Sequence, residues 1–237
     1  MAATASAMPP RPPRMRRGRS VVLRVSWRGY LTLLKEVGDD TARLTYDNGY
    51  LEIEMPSDLH ERLTRLIGAM AEAALTFANV DYQPLGSTTW KRRKPLKGIE
   101  ADECFYISSL PAIQGRATID LKRDPPPDLA VETEVTRPVL NKTKVYAAIG
   151  VPELWRVAES GQVRLYRLNA ERVYEPIERS SAIPRLDAAT LTLHAGRLQP
   201  LGPLVHSQVL REFRQWLATP PAAGDAPIPT PMRGPHV

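Results

Sequence analysis

The chain has 237 residues with 43% hydrophobic and 24% charged residues, which suits a globular α/β protein with room for a sizeable core. Its one cysteine, Cys104, excludes an intrachain disulfide and a cysteine-built zinc site, and with the lack of an apolar stretch after the N-terminal arginines it points to the cytoplasm. No run approaches the roughly 18 apolar residues that cross a bilayer, so a membrane is not an expected partner.

The net charge of +6 suggests nucleic acid until it is divided by region. Residues 1–19 hold Arg11, Arg14, Arg16, Arg17 and Arg19 and no acid, and Asp225 and Arg233 cancel in 220–237. Residues 20–219 keep 26 basic and 25 acidic groups, so the body is close to neutral. Residues 1–20, rich in proline and arginine, and 219–237, rich in proline, read as disordered tails. They leave one domain at 21–218, with a core at 44–168 and a β/α extension at 169–218.

Taken in chain order, Arg43–Tyr46 and Tyr50–Glu54 flank Asp47–Asn48–Gly49, a β-hairpin signal. Ser57 and Asp58 offer an N-cap to a helix over about 59–79, where Leu63, Leu66, Ile67, Met70, Ala74 and Phe77 recur on one face. Strands follow near Tyr82–Leu85, Thr88–Arg92 and Glu103–Ile107. Asp124–Pro125–Pro126–Pro127 stiffens the entry to Leu129–Ala130–Val131, a strand buried on both faces. A short helix over Asn141–Ile149 stops at Gly150. Leu154–Val157 and Val163–Leu168 form a second hairpin around Ser160–Gly161, and Val205, Val209, Leu210, Phe213 and Trp216 mark a last amphipathic helix. Together they predict an α/β fold, a mixed central sheet flanked by helices with an N-terminal β-hairpin.

Glu132 and Glu134 follow the buried run, and a strand's period of two puts both on one face. Carboxylates there need a counter-charge or a metal. Asp102, just after Glu100, starts another strand, and Lys142 opens the next helix. Two strand-borne carboxylates beside a lysine are the parts of metal-assisted phosphodiester hydrolysis. A salt-bridged, solvated sheet edge has the same residues. Lys91–Arg92–Arg93–Lys94, behind Trp90, is the one dense basic run of the body. It reads as a nucleic-acid contact or as a solvated turn.

Several segments carry a resemblance. DPPPDLAVETEVTRPVLNKTKVYAAIGVPELWR at 124–156, with LEIEMPSDLHERL at 51–63, GSTTWKR at 86–92 and GIEADECFYI at 98–107, closely resembles the Uma-type endonucleases of the PD-(D/E)XK, restriction-endonuclease-like superfamily. The resemblance implies a Mg²⁺-dependent endonuclease, with Mn²⁺ substituting, that cuts phosphodiester bonds in DNA and pairs as a homodimer. It also implies roles. Asp102 and Glu132 bind the metal, with Glu52 or its same-face neighbour Glu54 as an additional acid. Lys142 takes over from the lysine whose usual place holds Glu134, an accessory carboxylate, and His60 matches a histidine at the start of the long helix. Arg156–Val157–Ala158 stands where the family commonly has an aspartate. A noncatalytic nucleic-acid-binding or assembly module on the same fold is the alternative.

Overall fold

A computed structural model describes residues 19–37, 42–134 and 140–219; the tail expectations for 1–18 and 220–237 lie outside them. The elements, in order, are β1 (Arg19–Arg24), α1 (Trp27–Val37), β2 (Arg43–Asp47), β3 (Tyr50–Met55), α2 (Asp58–Phe77) and β4 (Gln83–Pro84). There follow β5 (Thr89–Arg92), β6 (Lys97–Glu100), β7 (Glu103–Tyr106), α3 (Leu110–Ile113), β8 (Leu129–Glu134) and α4 (Lys142–Ile149). The chain continues through β9 (Glu153–Ala158), β10 (Val163–Leu168), β11 (Tyr174–Ile177), α5 (Ala188–Ala195) and α6 (His206–Ala218). No described helix is long and apolar enough to cross a membrane.

The strands form two sheets. One is five-stranded and antiparallel in the order β1-β3-β2-β6-β5, and the other is six-stranded in the order β11-β10-β9-β8-β7-β4. In the second, β8 and β9 run parallel and α4 is their crossover, while the other pairs are antiparallel. This is the mixed, helix-flanked sheet that the sequence predicts. The predicted hairpin, however, is the middle of a second sheet, and Arg19 and Ser20, assigned above to the tail, belong to its edge strand β1.

Alternation along the strands decides what meets what. Leu129 and Val131 pack with Leu63, Leu66, Ile67 and Met70 of α2 and with Val209 and Phe213 of α6. The opposite face of β8 carries Ala130, which packs with Val145, Tyr146 and Ile149 of α4. Ile99 and Trp90 of the five-stranded sheet join that same cluster. Helix α4 therefore lies between the sheets. On the outer face of the five-stranded sheet, Tyr30 of α1 packs on Leu44, Tyr46 and Leu51.

The inner positions of β3 are then Glu52 and Glu54, both buried. Ala101–Asp102, the short link from β6 to β7, is the last of the passages by which the chain crosses between the two sheets.

One glycine fixes α1. A Cβ on Gly98 would lie 2.2 Å from the hydroxyl oxygen of Tyr30 and 2.7 Å from its Cζ. Gly98→Ala should therefore cost about 1–3 kcal/mol by overpacking. Thermal denaturation should show a melting temperature lower by roughly 2–4 °C per kcal/mol. Tyr30→Phe removes a buried hydroxyl that makes no hydrogen bond and should be neutral or stabilising. A silent Gly98→Ala would contradict the packing.

Candidate active site

The long helix begins where expected. Ser57 caps it, accepting the backbone N–H of His60 at 3.1 Å, which sets the first turn and the direction of the His60 ring. His60 Nε2 lies 3.0 Å from Oδ2 of Asp102. That oxygen also accepts the N–H of Thr133 at 2.8 Å, tying the β6–β7 link to β8 one residue from Glu132. From the next turn of α2, Thr64 donates to the Thr133 hydroxyl at 2.8 Å. Asp102 Oδ1 has the guanidinium of Arg43 3.5 Å away.

On the α4 side of β8, Glu132 is 1% exposed. The ammonium of Lys142 bonds Glu132 Oε1, and the hydroxyl of Tyr146, one turn further along α4, donates to Oε2 at 2.8 Å. Lys142 also donates to Glu54 Oε2 at 2.8 Å. Glu52 accepts the backbone N–H of Leu140 at 2.9 Å, just before α4. Both acids of β3 thus face the seam, with Glu54 on the lysine and Glu52 on the helix entry. Glu134 is drawn elsewhere: Arg156 of β9 meets it with two bonds, Nε to Oε1 at 3.0 Å and a terminal nitrogen to Oε2 at 2.5 Å. The first residue of the Arg156–Val157–Ala158 stretch, where the resemblance implies an aspartate, is therefore the partner of Glu134.

Of the residues singled out from the sequence, Asp102, Glu132, Lys142, Glu54 and His60 form one buried network. Glu52 adjoins it. Lys91, Arg92, Arg93 and Lys94 have no described contact with it; they lie on β5 and the turn to β6. Arg43, Tyr146 and Arg156 were missed. For Tyr146 the signal was present, since the i, i+4 spacing from Lys142 puts both on one helix face. For Arg43 no local signal exists, because its partners Glu61, Glu100 and Asp102 come from other elements.

Charge and burial compete throughout. Burial pushes Glu132 up, above the usual carboxylate range, against the pull of the Lys142 ammonium. Burial also pushes Asp102 up, but the His60 bond, the charges of His60 and Lys142 and the Thr133 N–H more than offset it and hold it low. Burial would lower His60, yet Asp102, with Glu132 and Glu54, raises it. Lys142 is held charged by Glu132, Asp102 and Glu54 against its own desolvation.

A raised histidine gives stability below its unfolded value of about 6.5, and that stability is lost as pH rises through the higher folded value. In chelator-containing buffer, denaturant unfolding of the wild type should weaken as pH climbs from 6.5, whereas His60→Gln should be flatter over that window. Equal slopes would refute the His60–Asp102 coupling.

Hard carboxylate oxygens are the donors a divalent ion such as Mg²⁺ takes, and Asp102, Glu132 and Glu54 supply them from three different segments. Among the described residues, no three His, Cys, Asp or Glu side chains are grouped closely enough to enclose a metal ion. The donor chemistry fits; Lys142 is the cation that Glu54 and Glu132 share.

Residues 27–196 match the Uma2 family, described as "Putative restriction endonuclease". The chain belongs to this family. The Uma2 match covers the whole of the seam just described, from α1 through α5. No curated protein matches the chain. Among solved structures it is similar to a "putative nuclease" from Anabaena variabilis ATCC 29413, at 15% identity and a TM-score of 0.48 over 81% of this chain and 99% of that one.

Proposed function

We propose that this Uma2 protein is a Mg²⁺-dependent endonuclease that hydrolyses phosphodiester bonds in DNA, with Mn²⁺ able to substitute. The observation that carries this reading is the convergence of Asp102, Glu132 and Lys142 at the seam between the sheets, bridged by the Thr133 N–H.

Asp102 and Glu132 would hold the ion, and Glu54, which shares the Lys142 ammonium with Glu132, would be the additional acid. When bound, the metal supplies Lewis-acid charge neutralisation and a water of lowered pKa. Tyr146 fixes the Glu132 carboxylate and leaves its other oxygen to Lys142. Lys142, held protonated, orients the attacking water and offsets the negative charge that grows on the phosphorus oxygens. His60 and Arg43 position Asp102, and His60 with the charge of Lys142 keeps it ionised. Glu134, engaged by Arg156, is accessory. Residues 19–218 act as one cytoplasmic nuclease domain that pairs as a homodimer so that both strands can be cut, which size measurements over a range of concentrations would test.

A second reading, a noncatalytic nucleic-acid-binding module, is favoured by one observation: the Lys142 ammonium already offsets Glu54 and Glu132. Incubation of purified protein with supercoiled plasmid decides between them. Nicking with Mg²⁺ or Mn²⁺, absent with chelator and absent in Asp102→Asn, is the expected result. Salt-sensitive binding that Glu132→Ala leaves intact, without any cleavage, would favour the module instead.

A further inference from the structure

Two grooves flank the seam, and their charges differ from those of the rest of the body. The first, of about 830 Å³, runs along α4 from Lys142 past Lys144 to Arg172 in the β10–β11 turn. Its one lining carboxylate, Glu134, is already held by Arg156. The second, of about 660 Å³, is lined by Lys91, Arg92, Arg93, Lys94 and Lys122 and by no acid.

The two are neighbours. Burial, and after it the charge of Arg172, pull Arg92 below the ordinary arginine range. Helix α4 also packs on β5, which carries Arg92. None of Lys91, Arg92, Arg93, Lys94, Lys122, Lys144 or Arg172 makes an ion pair among the described residues. Elsewhere cations do find acids: Arg43, Lys97 and Arg116 are all paired. The near-neutral body thus hides a local excess of positive charge that begins beside the candidate active site. Arg172 has a further tie, donating to the Ala147 carbonyl at 2.9 Å, which holds it at the C-terminal end of α4.

We propose that these grooves form one track that holds the sugar–phosphate backbone of duplex DNA to one side of the cleavage site, with Arg172 as the joint between them. The proposal rests on the nuclease reading and adds residues and a direction to it. Unpaired cations in a row recognise phosphates. Duplex rather than single strand follows from the lining: its one aromatic side chain, Tyr174, is fixed by donating to the Val151 carbonyl at 2.7 Å and offers no stacking platform. The eight residues of α4 span about 12 Å. At 3.4 Å per base step, Arg172 would meet a phosphate roughly three to four steps from the scissile one.

The test is anisotropy of a short fluorescent DNA duplex bound by full-length protein in chelator, titrated with NaCl. Lys144→Gln, Lys122→Gln and Arg172→Gln should each weaken binding equally on unrelated sequences and reduce the log K against log salt slope by about 0.9. Arg172→Lys should restore the slope, which separates charge from any loss of the α4 contact. Arg211→Gln, an exposed arginine on α6, should change nothing. If the wild type binds and cleaves but all three replacements keep its slope, the track is overturned and the nuclease reading stands. A single strand bound more tightly than the duplex overturns the duplex assignment. A wild type that neither binds nor cuts DNA overturns both.

Discussion

Glu132→Gln is expected to reduce Mg²⁺-dependent cleavage by two to three orders of magnitude or more, the usual cost of removing a group that stabilises developing charge, while the protein stays folded. Glutamine keeps the volume and a carbonyl oxygen that can still accept from Tyr146, so the β8–α4 contact survives. Lys142 keeps Glu54 as its counter-ion. What disappears is the negative charge at the one carboxylate that β8 presents to both Lys142 and Tyr146. Initial rates of plasmid nicking, with circular dichroism as the folding control, provide the check. A variant retaining more than about a tenth of wild-type activity would mean that Glu132 is structural and that Glu54 and Asp102 carry the chemistry.

Lys142→Met should be the most damaging single change to stability as well as to activity. Lys142 is 5% exposed and stands between Glu132 and Glu54, which are 1% and 4% exposed. Removing it leaves two buried carboxylates without their shared ammonium, a loss of about 3–5 kcal/mol. For a chain of this size that is a fall in melting temperature of roughly 6–20 °C. The deficit should shrink as pH falls, because the stranded carboxylates can then take up protons. Adding Glu132→Gln to Lys142→Met should return part of the stability, though none of the activity. Calorimetry of the four proteins over pH 5–8 would measure this coupling. Additive losses would show that the two residues do not share the interaction.

Local chemistry made much of this fold readable. Asp47–Asn48–Gly49 does form the turn between β2 and β3, with Asn48 and Gly49 at φ of 44° and 100°, as a two-residue hairpin of this composition requires. Gly150 ends α4 in the left-handed region, at φ of 94°. Asp128, just before β8, accepts backbone N–H groups from Ile107 and Ser109 and serves the chain path. β1 and α1 were harder. β1 follows an arginine-rich stretch with little alternation, and its pairing with β3 is specified by a strand some thirty positions away.

The sequence named several residues of the buried network but not the contacts that join them. Resemblance picked out Asp102, Glu132 and Lys142, and it left Glu52 and Glu54 unresolved because they share a face. In the fold the two have different partners, Glu54 the Lys142 ammonium and Glu52 the backbone N–H of Leu140. Likewise, the Arg156 that replaces a familiar acid makes sense only across the parallel pair β8–β9, where it sits opposite Glu132 in register and reaches to Glu134.

The link Ala101–Asp102 has a consequence for the order of events after synthesis. Glu54 on β3 and Lys142 on α4 are 88 positions apart, and Asp102 sits on the last of the three stretches between them that pass from one sheet to the other. Contacts so distant in sequence form late, because the loop they close must first be brought together. A nascent chain with either sheet alone presents scattered acids and no assembled centre. The candidate active site is thus assembled as the last act of folding, at the moment the two sheets lock.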